Sequence, residues 1–104
     1  MKNGFVFCSG QLGREPKSGL LAEGVENQTH KAIKNIQTVL EEAGSSLDNV
    51  VKTTIFVKDL NEFAKINETY GSYFKKNKPA RATVEVARLP QDALVEIEAV
   101  ALIK

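Results

Sequence analysis

Three residues stand where the surrounding sequence pattern predicts apolar or structurally neutral side chains. Arg81 opens the strand-like stretch KPARATVEVARLP at 78–90, Glu96 interrupts a later apolar run, and Asn67 lies inside the apolar stripe of a helical segment. An arginine carries a permanent charge on a planar fork that matches a carboxylate. Each desolvated hydrogen bond to such a charged group contributes about 1.5–3 kcal/mol. Arg81 is therefore a candidate anchor for a small anionic substrate.

Each of these residues also has a simpler structural interpretation. Most arginines are exposed, so Arg81 fits an ordinary solvated strand end, and Asn67 fits a half-exposed helix flank. Glu96 shares its strand face with Glu98, and a buried carboxylate costs several kcal/mol unless it is paired. A partly solvated face explains both carboxylates, and for Glu98 it is the favoured interpretation. The residues alone support a small-carboxylate binding domain and leave its reaction open.

Composition narrows the classes of protein that the chain can belong to. Its 104 residues suit one domain. A net charge of +1 gives no electrostatic reason to expect a nucleic acid or anionic lipid partner. No apolar stretch approaches the roughly 20 residues of a membrane span. Cys8 and His30 are the single cysteine and the single histidine, so we expect no internal disulfide, no zinc site and a cytoplasmic location.

The elements that must position these residues follow from hydrophobic periodicity. Alternating and 3.6-residue patterns predict the order β, α, β, α, β, β. The first helix should run from Val25 to Ala43 and end at Gly44 in a left-handed cap. Asp59 and Glu62 approximate a capping box for the second helix, and Ser9-Gly10 should form a turn after the first strand. We expect strands at 5–8, 49–58, 81–87 and 94–103.

The predicted sheet needs a further covering layer. Both helices are long enough for parallel crossovers, which would place them on one face of a partly parallel sheet. The last strand nevertheless carries apolar residues on both faces, with Val95 and Ile97 on one and Val100 and Leu102 on the other. A sheet with two apolar faces must be covered twice. We therefore expect a homo-oligomer.

Three motifs in the same order resemble the Rid family, the reactive intermediate deaminases, also called the YjgF family. They are FCSGQ at 7–11, the helix-strand-helix stretch QTHKAIKNIQTVLEEAGSSLDNVVKTTIFVKDLNEFAKINETYGSYF at 28–74, and PARATVEVARLPQDALVEIEAVA at 79–101. The resemblance covers essentially the whole chain. It implies a chorismate-mutase-like α+β fold, a mixed sheet with two helices on one face, assembled as a homotrimer with a barrel-like core.

The resemblance also implies an activity and a site in each subunit interface. The activity is hydrolysis of 2-imino and enamine acids, such as 2-iminobutanoate and 2-aminoacrylate, to 2-keto acids and ammonia, with no cofactor and no metal. The family's catalytic arginine falls on Arg81, which would hold the substrate carboxylate. Its acidic residue falls on Glu96, which would orient the attacking water. The residues expected to bind substrate are Ser9, Gly10, Asn67, Tyr70 and Thr83.

The chain departs from the family pattern in three places. Family members usually carry an N-terminal segment before the position of Phe5, so the expectation is a single domain over 1–104 without that segment. Lys78 replaces a frequent aromatic residue, and Thr83 stands where some members have cysteine. These departures keep a non-catalytic binder of 2-keto acids open as an alternative. An RNA-directed translation inhibitor or ribonuclease is weaker, because only the lysines at 75, 76 and 78 motivate it.

A strand-register argument predicts how far apart the two catalytic candidates lie. If the last two strands form a simple hairpin around Pro90, Glu96 lies opposite Glu85. Arg81 would then be roughly 13 Å away along the strand, at 3.3 Å per residue. We therefore expect no direct contact between Arg81 and Glu96. They would line one cavity across a small molecule or come from two subunits.

Overall fold

The architecture is a four-stranded mixed sheet with two helices, as the sequence pattern predicts. The computed structural model describes residues 3–103, and no helix in that range is long and apolar enough to cross a membrane. Short 3-10 turns precede β2, α2 and β4. The elements are β1 (Phe5–Leu12), α1 (Val25–Glu42), β2 (Val50–Val57), α2 (Phe63–Tyr73), β3 (Ala80–Glu85) and β4 (Val95–Leu102).

The sheet has the strand order β1-β4-β2-β3. β2 and β3 are parallel neighbours, and β4 runs antiparallel to both β1 and β2. α1 packs on β1, β4 and α2. Ile33, Ile36 and Ile66 of the helices join Ile55 and Ile97 of the sheet in one buried cluster. The predictions of a partly parallel sheet and of two helices on one face are therefore confirmed.

The hairpin geometry considered for the last two strands is wrong. β2 lies between β3 and β4, because the α2 crossover places β3 beside β2 and the chain must then pass β2 to reach β4. The connection contains Gln91 and Asp92 with left-handed φ angles of 58° and 55°. Leu89 and Ala93, both buried, hold its two ends against the protein.

The predicted turn at Ser9-Gly10 is also wrong, because β1 continues through these residues to Leu12. The register of β1 against β4 shifts between Cys8 and Gln11, which marks a β-bulge. A Cβ atom at Gly10 would overlap the Glu96 carboxylate. A larger residue at this bulge would therefore require the Glu96 side chain to move.

The sequence predicts the end of α1 correctly and the start of α2 wrongly. Gly44 has a φ of 85°, and the Gly44 and Ser45 amides donate to the Glu41 and Leu40 carbonyls at 3.2 and 2.8 Å. This is the predicted left-handed C-cap.

The capping box predicted at the start of α2 does not form. Asp59 caps a 3-10 turn by accepting from the Asn61 amide at 2.9 Å, and α2 begins only at Phe63. The Leu60 amide donates to the Glu85 carboxylate at 2.9 Å, and Glu62 pairs with Lys65 at 3.5 Å. The start of α2 is thus held partly by a side chain of β3.

The sheet face without helices is apolar and uncovered in one protomer. Alternate residues of β4, from Val95 to Ala101, are buried under the helices. On the opposite face, Phe7 is 64% exposed. Phe5, Val84 and Leu102 are also large exposed hydrophobic residues of the strands. The predicted apolar character of both faces is confirmed, whereas the layer that covers the second face stays a prediction.

Candidate active site

Arg81 is held in place although its side chain is exposed. Its Nη1 donates to Asn67 Oδ1 at 2.6 Å. The guanidinium carbon lies 5.0 Å from the centroid of the Tyr70 ring and 5.4 Å from that of Phe63. Such cation–π contacts contribute about 0.5–1 kcal/mol each at exposed sites. The charge is therefore oriented by α2 before any ligand arrives.

The spacing along α2 explains this arrangement. Phe63, Asn67 and Tyr70 are separated by four and three residues, so they project from one face of the helix. β3 lies beside β2, with Arg81 paired to Thr53. The Thr53 hydroxyl and the Tyr70 hydroxyl are 2.7 Å apart and buried. This hydrogen bond fixes α2 against the sheet at the position where Arg81 leaves β3.

Tyr70 is a neutral hydrogen-bonding group at physiological pH. Burial raises the pKa of its phenol, while the hydrogen bond with Thr53 and the charge of Arg81 lower it by smaller amounts. The net direction is upward, so the proton stays on the phenol. Tyr70 thus contributes a ring face to Arg81 and no negative charge.

Arg81, Asn67 and Tyr70 line a cavity of about 560 Å³, which we call the arginine cavity. Its lining contains three cationic side chains and no carboxylate, so the cavity suits an anion. Asn67 and Tyr70 supply neutral polar groups. The lining residues are Asn67, Tyr70, Gly71, Phe74, Lys75, Lys78, Pro79 and Arg81.

Thr83 lies two residues after Arg81 in β3 but does not line the arginine cavity. Its hydroxyl oxygen is buried and has no hydrogen-bond partner within residues 3–103. An unsatisfied buried hydroxyl costs about 1–3 kcal/mol. Thr83 is therefore a polar group still able to bond to a further molecule.

Glu96 lies in a second cavity, of about 370 Å³, which we call the glutamate cavity. Along β4 it alternates with the buried Val95 and Ile97, so its side chain leaves the sheet on the face without helices. Gly10 of the β1 bulge also lines this cavity. The other lining residues are Gln11, Leu12, Arg14, Pro16, Asn35, Thr38, Val39 and Pro90. Ser9 lines neither cavity but a smaller one of about 220 Å³, with Phe7 and Glu98.

The strand register gives an estimate of the distance between the Cα atoms of the two candidate catalytic residues. Phe56 of β2 pairs with Glu96 on one side and with Val84 on the other. Arg81 is three residues from Val84. With 3.3 Å per residue and about 4.8 Å between strands, the Arg81 and Glu96 Cα atoms are roughly 14 Å apart. The prediction of no direct contact is confirmed, although the pairing is not the hairpin on which it was based.

The structure therefore divides the predicted site residues into two groups. Arg81, Asn67 and Tyr70 come together at the β3 edge, whereas Gly10 and Glu96 come together at β1 and β4. Sequence reasoning missed Phe63 as a platform for Arg81, although its helical spacing to Asn67 was available. It also considered Lys75 and Lys78 as a motive for an RNA-directed role and did not place them at a cavity wall.

Comparison with known proteins identifies the family of this chain. The family model described as endoribonuclease L-PSP matches residues 1–103. A RutC family protein of Pyrococcus abyssi is 52% identical over 98 residues, which are 93% of this chain and 77% of that protein. A Salmonella typhimurium protein named 2-iminobutanoate/2-iminopropanoate deaminase is 47% identical over 100 residues, which are 93% and 78% of the two chains.

Solved structures agree with these sequence matches. The crystal structure of RidA from the Antarctic bacterium Psychrobacter superposes with a TM-score of 0.96 at 40% identity. The match covers 99% of this chain and 84% of that one. Fold and sequence therefore lead to the same assignment. The chain belongs to the endoribonuclease L-PSP family, which is the Rid (YjgF) family that its motifs resemble.

Proposed function

We propose that this protein is a 2-imino acid deaminase that hydrolyses substrates such as 2-iminobutanoate and 2-aminoacrylate to 2-keto acids and ammonia. The observation that carries the proposal is the oriented guanidinium of Arg81 in a cavity lined by cations and no carboxylate. Such a group recognises the carboxylate that every 2-imino acid has. The activity printed for the Salmonella relative supports the same reaction.

The reaction requires little from the protein beyond positioning. Water adds through its oxygen to the imine carbon, its protons pass to nitrogen, the carbon–nitrogen bond breaks, and ammonia leaves a carbonyl behind. Arg81 would hold the carboxylate and so fix the imine carbon. Glu96 would accept a hydrogen bond from the attacking water and direct its oxygen towards that carbon.

We propose further that each complete site forms between two copies of the chain in a homotrimer. Within a protomer, Arg81 and Glu96 line different cavities and leave the sheet on opposite faces. A ring in which the β3 edge of one copy meets the β1 side of the next would join the two groups. It would also cover the apolar open face around Phe7 and give a barrel-like core. Ser9 and Thr83 would then lie near the joined cavities.

The decisive experiment measures ammonia release from 2-iminobutanoate generated in situ by threonine dehydratase. We expect the wild-type protein to exceed the rate in buffer. Arg81→Ala removes hydrogen bonds to a charged group and should lower kcat/KM at least about 100-fold, to near the buffer rate. Arg88→Ala is the matched control, because Arg88 is exposed and pairs with Asp92 outside the cavity at 2.7 Å. An undiminished rate in Arg81→Ala would overturn the assignment.

A second function is binding of a 2-keto acid without turnover. The arginine cavity recognises a carboxylate whether or not Glu96 reaches it, since Glu96 does not line that cavity. Saturable binding of 2-oxobutanoate together with no rate above buffer would favour this function. For either function we propose a reducing compartment such as the cytoplasm, in keeping with the free, buried thiol of Cys8.

A further inference from the structure

The arginine cavity carries more positive charge than one carboxylate requires. Arg81 already supplies a fork that a single carboxylate can occupy. Lys75 and Lys78 line the same cavity, and its lining includes no carboxylate. Within residues 3–103, neither lysine takes part in an ion pair; the pairs there involve Lys31, Lys65 and Arg88. Two cations thus remain for a second anionic group.

The positions of the lysines argue against a general role at the helix end. Lysines beyond the last turn of a helix commonly complement its dipole and are solvated. Lys75 and Lys76 both follow α2, yet only Lys75 lines the cavity, and Lys78 joins it from the segment that leads into β3. The chain therefore directs two of three neighbouring lysines to the wall that Arg81 shares. Lys76 provides a natural control with the same charge.

The volume of the cavity is suited to a small molecule. Its volume of about 560 Å³ lies within the common range for small-molecule pockets, about 300–1,000 Å³. Phe74 and Tyr70 form apolar parts of its wall. A nucleic acid requires an extended basic surface, whereas the chain as a whole has a net charge of only +1. The observations favour a compact molecule with two anionic groups.

We propose that the preferred substrates are dicarboxylic 2-imino acids, in which Arg81 holds the carboxylate beside the imine and Lys75 and Lys78 hold the side-chain carboxylate. This inference rests on the proposed deaminase function and defines its substrate class. The second carboxylate adds binding at a position away from the reacting carbon. Removal of the lysines should therefore raise KM more for dicarboxylic substrates than for substrates with one carboxylate.

The test compares ammonia release from two imines generated in situ. One is 2-iminobutanoate from threonine dehydratase, and the other is 2-iminosuccinate from aspartate with an L-aspartate oxidase and catalase. In the double variant Lys75→Met/Lys78→Met, we expect KM for 2-iminosuccinate to rise at least about tenfold. KM for 2-iminobutanoate should rise by a much smaller factor, because that substrate makes no second ionic contact and loses only the general attraction of the cavity. Lys76→Met should leave both values unchanged.

The outcomes separate this inference from the proposed function. Turnover of 2-iminobutanoate without turnover of 2-iminosuccinate overturns the dicarboxylate preference and leaves the deaminase intact. Equal losses for both substrates in the double variant also overturn it, because they indicate a general electrostatic effect. If neither imine is hydrolysed, the deaminase proposal fails, and calorimetry decides the cavity's preference. Tighter binding of 2-oxoglutarate than of 2-oxobutanoate, lost in the double variant, then supports the two-anion site; equal binding overturns it.

Discussion

The arginine cavity and the glutamate cavity differ in how complete they are within one protomer. Arg81 is bound by Asn67 and lies over two aromatic rings, so its position is fixed from inside the chain. Glu96 forms no side-chain hydrogen bond or ion pair within residues 3–103 and meets Gly10 only by close approach. In the proposed mechanism, the half of the site that holds the carboxylate would therefore be preformed, whereas the half that directs water would still need a partner chain.

The two faces of the sheet repeat this contrast on a larger scale. The helix-covered face is closed by buried aliphatic residues such as Ile55 and Ile97. The open face carries Phe7 and Val84, which are exposed and apolar. Glu96 leaves the sheet on that open face. The glutamate cavity extends from that face around the β1 edge to α1. In the proposed trimer, a second copy of the chain would bind there.

The largest effect is expected from placing a charge on the open face. Phe7→Asp would put a carboxylate into the proposed interface, where an unpaired charge costs several kcal/mol. We expect a wild-type trimer in sedimentation velocity and a folded monomer for the variant. Because the glutamate cavity would lose its neighbour, ammonia release should fall to the level of Arg81→Ala.

Leu20→Asp controls for the chemical change itself, because Leu20 is 70% exposed in the loop between β1 and α1. It should keep both the trimer and the activity. A Phe7→Asp variant that stays trimeric and fully active would show that the open face is not the interface.

The second-largest effect is expected from removal of the Glu96 carboxylate, which also tests whether the site is divided between two copies of the chain. Glu96→Gln keeps the size of the side chain but removes the carboxylate that directs water, so kcat should fall about 100-fold. When Arg81→Ala and Glu96→Gln chains mix at random in a cyclic trimer, about a quarter of the interfaces combine an intact Arg81 with an intact Glu96. Co-expression of equal amounts of the two chains should therefore restore about a quarter of the wild-type activity.

Glu98→Gln is the matched control, because Glu98 is exposed on the same strand face and does not line the glutamate cavity. It should leave kcat unchanged. Mixed trimers that remain inactive would place both catalytic residues in one protomer and contradict the split site.

The smallest effect is expected from removal of the Thr53–Tyr70 hydrogen bond, which holds α2 against the sheet beside Arg81. Tyr70→Phe removes the hydroxyl bonded to Thr53 and leaves a buried threonine unpaired. The free energy of unfolding should fall by about 1–3 kcal/mol in urea titrations. Tyr73→Phe loses a bond to the exposed His30 and should cost less. Equal losses in the two variants would contradict a special role for the Thr53–Tyr70 bond.

The same tyrosine gives the sign of a pH effect. Burial raises the pKa of Tyr70 above its ordinary value, so the folded protein favours the protonated phenol. This contribution to stability is complete below the ordinary tyrosine pKa of about 10 and is lost as pH rises through the raised value. Wild-type stability should therefore decline more steeply in alkali than that of Tyr70→Phe.

Several features of the fold could be predicted because they depend on neighbours in sequence. The period of α1 and the left-handed Gly44 that ends it are local patterns, and both were found where expected. The alternation of β4 placed Val95 and Ile97 on one common face for the same reason, and the structure buries that face. The turn predicted at Ser9-Gly10 was wrong because β1 pairs with β4 on both sides of these residues and passes them as a β-bulge. That pairing depends on a strand distant in sequence.

The sequence by itself determined the residue types of the site, the family motifs and the order of elements, since these follow from side-chain chemistry and local periodicity. Only the tertiary structure decided that β2 separates β3 from β4 and that Lys75 and Lys78 share a cavity with Arg81. Strand order depends on which edges pair after the crossovers, and cavity walls depend on residues from separate elements. Neither is encoded in the spacing of residues along the chain.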